Sequence, residues 1–336
     1  MTSLPLKLAV AALGAVFCVA GSAQTAPAPE RYTAETTYAK LAPKYPFIKV
    51  ASSAVPASVE ALRGITYVRH GGRELRLDLY LPKARAAQAE DKSVPGIVFV
   101  HGGGWRTGVR ENFAPMAIRM AERGYAAATV SYRLSPEAPY PAAIHDVKAA
   151  LRWMRAHAGQ YGIDPARLAV AGGSAGGQIA SLAGVTNGVG RFDPDAGAVS
   201  SAAQAIVNID GLSDFTSEAA RKYEDDPAKQ PSSAGAWFGG RYAEKEALWR
   251  EASPTFYVNA ATPPILFIGS GQARFSVGRE EMMAKMDAAG VPSRVVLLPD
   301  TPHSFWLFDP WLAPTVEATV RFLDEHMRVG AGRSKR

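Results

Sequence analysis

The sequence of 336 residues contains a single cysteine, Cys18. One cysteine cannot form an intrachain disulfide, so a small disulfide-stapled domain is excluded. Cys18 also lies in the N-terminal segment that we expect to be removed, which would leave no thiol chemistry. Stability must then come from a buried core, and with 47% hydrophobic residues the composition can supply one.

Clusters of basic residues are lacking too. The chain has 37 Lys and Arg against 31 Asp and Glu, a formal net charge of +6, but the basic residues are spread singly along it. Such spacing is typical of a solvated surface and not of a nucleic-acid interface. We therefore expect no nucleic-acid partner, and we also expect no metal and no cofactor.

The apolar run near the N-terminus is shorter than the roughly 20 residues that span a membrane. It extends from Leu8 to Ala20, follows Lys7, and is followed by the small residues Gly21 and Ala23. This arrangement is typical of a cleaved secretory signal peptide. We predict that residues 1–23 are a leader, that the protein is secreted or periplasmic, and that it has no membrane contact after cleavage.

Downstream of the leader, residues 24–60 begin rich in Pro, Ala and Thr and predict a linker or arm. In residues 61–330, short apolar runs such as "GIVFVH", "LAVAGG", "AIVNID" and "PILFIGS" alternate with helical patterns. Buried strands alternating with helices predict an α/β fold with a mostly parallel sheet, covered on both faces. About eight strands fit, the first pair antiparallel. The irregular segment 211–262 is long enough to predict a cap insertion over a site.

A possible nucleophile follows one of these strands. In "RLAVAGGSAGG", the residues Gly172 to Gly176 fit G-x-S-x-G, with Ser174 at the sharp turn between a strand and a helix. Glycines on both sides leave room for a strained backbone at Ser174. A Gly-rich turn that packs a helix or binds a phosphate is the alternative interpretation.

A second motif strengthens the first. In "IVFVHGGGWRTG" a buried strand ends at His101, and three glycines follow at once. A loop without Cβ atoms can direct several backbone N–H groups to one point, as an oxyanion hole requires. We expect Gly103 and Gly104, together with Ala175 after the possible nucleophile, to donate these N–H groups, and we expect His101 to brace the loop.

The general base should follow the last strand, in the chain order Ser, acid, His. "RVVLLPDTPHSFWLF" provides a buried strand and then His303 in the turn. Four other histidines precede Ser174, and His326 belongs to the terminal helical segment. His303 is therefore the candidate base.

These residues resemble a known superfamily. "HGGGW", the block from "SYRLSPEAPYPAAIHDVKAALRWM" to "AVAGGSAGG", and the late "PHSF" are similar to the α/β-hydrolases, especially hormone-sensitive-lipase-like and feruloyl- or acetyl-esterase-like carboxylesterases. The resemblance covers about residues 60–330. It implies an eight-stranded sheet and hydrolysis of carboxylic esters through an acyl-enzyme, with Ser174 as nucleophile and His303 as base.

The chain departs from that pattern where such hydrolases usually keep their third catalytic residue. The stretch "ILFIGSGQARFSVG", residues 265–278, contains neither Asp nor Glu. Asp210, at the end of the preceding strand, is the first candidate to replace the missing acid, and Glu280 is the alternative. Asp214 and a Ser–His dyad, with Gln272 orienting the imidazole, stay open.

Aromatic residues near the motifs suggest a substrate. Trp105 follows the oxyanion glycines and Trp306 follows His303, and aromatic faces suit sugar rings as well as acyl chains. We therefore predict a small-molecule or oligosaccharide ester as substrate. Two rival functions remain. One is a peptidase of the prolyl-oligopeptidase type, which usually carries a large N-terminal domain that the arm of residues 24–60 is too short to supply. The other is an inactive hydrolase-fold binding protein.

Overall fold

The computed structural model describes residues 31–83, 93–229 and 231–327. Its strands are β1 (Lys49–Val50), β2 (Val59–His70), β3 (Arg73–Pro82), β4 (Val94–Val100), β5 (Ala126–Val130), β6 (Ile163–Gly173), β7 (Ala205–Ile209), β8 (Ile265–Gly269), β9 (Ser293–Leu297) and β10 (Phe308–Asp309). Its helices are α1 (Ala34–Leu41), α2 (Ala114–Glu122), α3 (Ala142–Ala156), α4 (Ala158–Tyr161), α5 (Ala175–Val185), α6 (Glu218–Glu224), α7 (Ser233–Phe238), α8 (Tyr242–Glu251), α9 (Arg279–Ala288) and α10 (Leu312–Met327).

Eight of these strands form one sheet in the order β2-β3-β5-β4-β6-β7-β8-β9. The hairpin strand β3 runs antiparallel to both of its neighbours, and every pairing from β5 to β9 is parallel. The α/β fold with a mostly parallel eight-stranded sheet is thus confirmed. The interior strands β7 and β8 are buried along their whole length, which explains why their sequences are predominantly apolar.

Helices cover both faces of the sheet. On one face, α3 and α5 pack against β6 and β7, and on the other face α2 packs against β5 and α10 against β7 and β8. Helix α3 contributes Ile144, Val147, Leu151 and Met154, whose three- and four-residue spacing places them on one buried stripe. His157 separates α3 from the short α4, and Gly162, in the left-handed conformation, ends α4.

The structure describes the predicted arm from residue 31 onward. A reciprocal pair of hydrogen bonds between Thr33 and Thr36 caps α1 at its N-terminus. Strand β1 then pairs with β10, which lies just beyond His303 in the chain. The arm therefore contacts the segment that carries the candidate base.

The cap prediction for 211–262 missed the regular structure inside it. The segment contains α6, α7 and α8, and their large aromatic side chains point inward. Trp237, Phe238 and Trp249 are buried with Phe215, and Trp237 stacks on Trp105 with ring centroids 5.0 Å apart. Many charged residues of the segment lie within α6 and α8, whereas Pro227, Pro231, Gly239 and Gly240 lie between the helices.

The predicted leader, residues 1–23 with Cys18, lies outside the described residues, and so do residues 24–30 of the arm. Within the part of the chain that the structure describes, no helix combines the length and the apolar character needed to cross a membrane.

Candidate active site

The sheet brings the sequence motifs to one edge. Strands β4, β6, β7, β8 and β9 are consecutive parallel neighbours, so the loops at their carboxyl ends lie side by side. Ser174 follows β6, Asp210 follows β7 and His303 follows β9. Residues separated by as many as 129 positions therefore meet within hydrogen-bond distance.

Ser174 occupies a strained turn between β6 and α5. Its backbone has φ 57° and ψ −125°, a combination that costs energy for a residue with a side chain. The turn is fixed because the Ser174 N–H donates to the Ile209 carbonyl at 2.8 Å. This conformation sets Ser174 at the start of α5, where the helix dipole favours negative charge.

The flanking glycines are required by close backbone contacts. A Cβ on Gly176 would lie 2.1 Å from the Val100 carbonyl oxygen, and a Cβ on Gly172 would lie 2.2 Å from the Gly176 oxygen. Neither neighbour is a flexible side chain that could move aside. The G-x-S-x-G pattern thus reflects the packing of the turn against β4.

We expect Gly176→Ala to lower the free energy of unfolding by about 3 kcal/mol, because the new methyl group overlaps backbone atoms. Gly159→Ala is the matched control: it lies in α4, has open space around it, and should change stability by less than about 1 kcal/mol. Urea unfolding of both variants measures the difference. Equal stability of the two variants would contradict this packing account.

His303 bonds to Ser174 and to Asp210 at once. Its Nε2 lies 2.8 Å from Ser174 Oγ, and its Nδ1 lies 3.0 Å from Asp210 Oδ2. An ionised carboxylate can only accept a hydrogen bond, so Nδ1 donates and Nε2 is left to accept from the Ser174 hydroxyl. This is the arrangement in which an imidazole can take the serine proton.

Asp210 is held firmly in its position. The residue is buried and has φ 50°, and its N–H donates to the Ile268 carbonyl at 2.9 Å. Its Oδ1 accepts from the Ser270 N–H at 2.8 Å, which leaves Oδ2 for His303. In the structure Asp210 itself adopts the left-handed conformation, while Gly211 is needed for its close approach to the Gln178 N–H.

The other candidates for the acid have different partners. Glu280 pairs with Arg279 at 2.6 Å and its side chain is 75% exposed. Asp214 accepts hydrogen bonds from Thr216 and Ser217 within its own turn. Gln272 donates to the Thr301 carbonyl at 3.2 Å. Of these four residues, the structure brings only Asp210 to His303.

The oxyanion loop lies directly against the nucleophile. A Cβ on Gly102 would be 3.0 Å from Ser174 Cβ, and Gly103 and Gly104 have φ of 122° and 59°, which favour glycine. Among the described residues, the N–H groups of Gly103, Gly104 and Ala175 have no backbone carbonyl as partner. They are therefore available to a developing oxyanion.

His101 braces this loop. Its Nδ1 donates to the Gly102 carbonyl at 2.8 Å, and its carbonyl accepts from the Tyr132 hydroxyl at 2.9 Å. Burial lowers the pKa of His101 to about 4, so the ring is neutral at physiological pH.

With the site assembled, comparison with known proteins can be made. The family model described as BD-FAE matches residues 77–280, which include Ser174 and Asp210. This chain belongs to the BD-FAE family. The match ends before His303, so the family model does not cover the candidate base.

Two curated relatives of this BD-FAE chain are named as esterases. Esterase LipQ of Mycobacterium tuberculosis is 31% identical over 240 residues, which are 70% of this chain and 55% of LipQ. Carboxylesterase NlhH of the same organism is 47% identical over 91 residues, which are 27% of this chain and 28% of NlhH. The chain spans about half the length of LipQ.

Solved structures share the fold of this BD-FAE chain. A truncated carbohydrate esterase from gut microbiota matches with 23% identity and a TM-score of 0.65, over 80% of this chain and 96% of that one. Native esterase 2 of Thermogutta terrifontis matches with 23% identity and a TM-score of 0.64, over 83% of this chain and 95% of that one. Both establish the α/β-hydrolase fold.

Two substrate-binding predictions for the BD-FAE chain are corrected by burial. Trp105 is 3% exposed, because it stacks on Trp237 and donates its indole N–H to Gln178 Oε1 at 3.0 Å. Trp306 is 2% exposed and fills the space beside Gly173, where an added Cβ would lie 2.5 Å from its ring. Both rings thus pack into the hydrophobic core beside the site.

Tyr32 of the arm joins two loops of the site, a contact that the sequence did not reveal. Its hydroxyl donates to Ser304 Oγ at 2.9 Å, beside the candidate base, and its N–H donates to Thr107 Oγ1 at 3.2 Å, beyond the oxyanion glycines. Burial raises the pKa of Tyr32 to about 12, so the hydroxyl stays protonated and able to donate. No motif marks Tyr32, because its role depends on contacts far away in the sequence.

We expect the kcat/KM of this BD-FAE chain to fall on the acid side with a midpoint below pH 6.5. Burial lowers the pKa of His303 from its ordinary value of 6.5, and the neighbouring Asp210 only partly opposes this. A lowered pKa keeps the imidazole neutral, and able to act as a base, to lower pH. A pH–rate profile measures the midpoint. The control His326→Gln, in α10, should leave the midpoint unchanged. A midpoint above pH 6.5 in the original protein would contradict the prediction.

Proposed function

We propose that this protein is a serine carboxylesterase that hydrolyses esters of short acyl groups through an acyl-enzyme. The observation that carries the proposal is the continuous chain of hydrogen bonds from Ser174 through His303 to Asp210. Next to it lie the N–H groups of Gly103, Gly104 and Ala175, which have no backbone carbonyl partner in the described part of the chain. The names of the relatives LipQ and NlhH agree with this activity.

The geometry supports acylation of Ser174 as the first step. Ser174 Oγ attacks the ester carbonyl carbon while His303 Nε2 takes the hydroxyl proton, and the carbonyl π electrons move to oxygen. Gly103, Gly104 and Ala175 donate N–H groups to that oxyanion. The tetrahedral species then collapses: the bond to the alcohol oxygen breaks, the imidazolium returns its proton to that oxygen, and Ser174 keeps the acyl group.

Deacylation repeats these steps with water. His303 Nε2 removes a proton from the water that attacks the acyl carbon, and then returns a proton to Ser174 Oγ as the acid leaves. Asp210 accepts from Nδ1 throughout, which fixes the imidazole tautomer and stabilises its positive charge in both transition states. No cofactor is required in this scheme.

The substrate we propose is an acetyl or feruloyl ester on a carbohydrate. Ser233, the first residue of α7, lies beside the oxyanion loop: a Cβ on Gly104 would be 3.1 Å from Ser233 Oγ. The cap thus presents a polar helix terminus to the loop, and its large aromatic side chains are buried in the main hydrophobic core. Such a surface suits a short acyl group and a polar alcohol better than a long lipid chain.

We expect kcat/KM on p-nitrophenyl esters to fall by about tenfold or more between acetyl and octanoyl, because the cap presents the polar Ser233 side chain beside the oxyanion loop. A panel of acetylated and feruloylated oligosaccharides then identifies the preferred ester. A steady rise of kcat/KM with acyl length would indicate a lipase-like enzyme. Cleavage of prolyl peptides without ester hydrolysis would indicate a peptidase, and absence of all hydrolysis a binding protein.

Export is part of the proposal. The apolar run from Leu8 to Ala20, with Lys7 before it and Gly21 and Ala23 after it, supports a cleaved signal peptide. Mass spectrometry of the protein recovered from the periplasm and the medium of the producing cells tests it. Intact protein beginning at Met1 and confined to the cytoplasm would overturn it.

A further inference from the structure

The loop after β8, residues 270–278, lacks a carboxylate but brings an aromatic ring to the candidate base. Phe275 lies in a short 3-10 helix, Ala273–Ser276, where its N–H donates to the Gln272 carbonyl at 3.0 Å. Its ring stacks on the His303 imidazole with centroids 3.4 Å apart and planes 8° from parallel. Because Asp210, after β7, occupies the position of the acid, the loop after β8 can contact the imidazole with an aromatic ring instead.

The stack distinguishes between the two protonation states of His303. Two neutral aromatic rings disfavour direct face-to-face overlap, because the negative faces of both rings meet. A cation over the face of an aromatic ring is attracted to it. The Phe275 face therefore interacts more favourably with the imidazolium than with the neutral imidazole, and the imidazolium is the state that forms during both catalytic steps.

The imidazole is also confined sterically. Phe275 covers one face, and Trp306 meets His303 nearly at right angles, with ring centroids 5.4 Å apart and planes at 86°. Its two ring nitrogens form hydrogen bonds, Nε2 with Ser174 and Nδ1 with Asp210. Rotation of the imidazole out of line with Ser174 would have to displace the Phe275 ring.

An ion pair lies close to the Phe275 ring. The Arg274 guanidinium lies 5.4 Å from the Phe275 ring centroid, and its Nε and Nη2 donate to Glu224 Oε1 at 3.0 and 2.8 Å. Glu224 belongs to α6 of the cap and is buried. The charged groups that act on His303 are thus Asp210, which raises its pKa, Arg274, which lowers it, and Glu224, which raises it.

We propose that Phe275 is a positioning residue for His303, which holds the imidazole in line with Ser174 and stabilises its protonated form through the face of the benzene ring. The inference rests on the proposed function, since it assigns a partner to the base of that mechanism. It does not require Phe275 to contact the substrate.

The test replaces Phe275 in the full chain with phenylalanines that carry one, two, three and five ring fluorines. Fluorination weakens the negative ring face progressively and changes the size of the side chain little. We expect kcat for a p-nitrophenyl acetate substrate to fall stepwise by about threefold to tenfold across the series, with KM unchanged. The acid midpoint of the pH–rate profile should move down by about half a pH unit to one pH unit.

The same series at Phe47 is the matched control, because that ring is 60% exposed and lies on the arm against Tyr45 and Trp311. It should leave kcat and the midpoint unchanged. A flat series at Phe275, or an effect on KM alone, would overturn the proposal. Failure of the proposed function can be distinguished from failure of this inference. Activity that persists in Ser174→Ala would refute the proposed function. An unchanged kcat across the Phe275 series, together with an inactive Ser174→Ala, would refute only the role of Phe275.

Phe275→Leu and Phe275→Tyr provide a second comparison. Leucine keeps an apolar cover but has no π face, so kcat should fall by about fivefold or more, and tyrosine, which keeps the face, should restore it to within about twofold of the original. If leucine and tyrosine were equally active, the ring face would play no part. Because the fluorinated variants preserve the shape of the side chain, the test still holds if the leucine variant fails to fold.

Discussion

Ser174→Ala is expected to lower kcat for p-nitrophenyl acetate by on the order of 10⁶-fold, close to complete loss of activity. The substitution removes the oxygen that attacks the ester, and the oxyanion N–H groups alone retain only a small residual acceleration. The fold should persist, since alanine lacks only one oxygen atom and the turn is fixed by its backbone contact with Ile209. Circular dichroism and urea unfolding check the fold beside the rate measurement.

Ser200→Ala is the matched control for this experiment. Ser200 is exposed and its Oγ accepts only from the nearby Ala202 N–H among the described residues, so the same chemical change should leave kcat unaltered. An active Ser174→Ala would place the nucleophile elsewhere in the chain.

Asp210→Asn is the second substitution with a large expected effect. We expect kcat to fall by on the order of 10³- to 10⁴-fold, which corresponds to an increase of roughly 4–5.5 kcal/mol in the activation free energy. An amide at this position no longer favours the Nδ1–H tautomer of His303, and it removes the negative charge that stabilises the imidazolium. KM should change little, because Asp210 lies behind His303, away from the substrate. Steady-state kinetics on the acetate ester measures both constants.

Glu280→Gln is the control for Asp210→Asn. Glu280 pairs with Arg279 on the surface, so its loss should change kcat by less than about tenfold. A larger effect at Glu280 than at Asp210 would reassign the acid. Full activity in both variants would indicate a Ser–His dyad.

The sequence predicted the sheet well because burial leaves a strong pattern. Strands such as β7 and β8 are covered on both faces and are predominantly apolar, so their positions and parallel pairing could be recognised. The cap was harder to predict. Its helices α6, α7 and α8 are only 7, 6 and 10 residues long, and helices of that length show too few turns for a clear period.

Ser174 and His303 could be predicted because each sits in a motif that follows a strand. Asp210 could be ranked first only because it also ends a strand. The identity of the acid depends on which neighbouring loop reaches His303. A local sequence pattern does not reveal the distance between loops that follow different strands. Phe275 and Tyr32 were missed for the same reason, since their partners lie 28 and 272 positions away.

The aromatic residues Trp105 and Trp306 were assigned to substrate because they follow the motifs directly. Proximity in sequence could not show which way the side chains point. In the structure both rings pack inward, against Trp237 and Gly173, since large apolar rings gain more from complete burial than from a surface position.

Covalent labelling by a fluorophosphonate, followed by mass spectrometric mapping of the peptide, tests the central claim most directly. The account predicts one adduct, on Ser174, formed about 10³-fold more slowly in Asp210→Asn and at an unchanged rate in Glu280→Gln. An adduct on another residue, or equal labelling rates in the original protein and Asp210→Asn, would contradict a nucleophile at Ser174 that His303 activates with the support of Asp210.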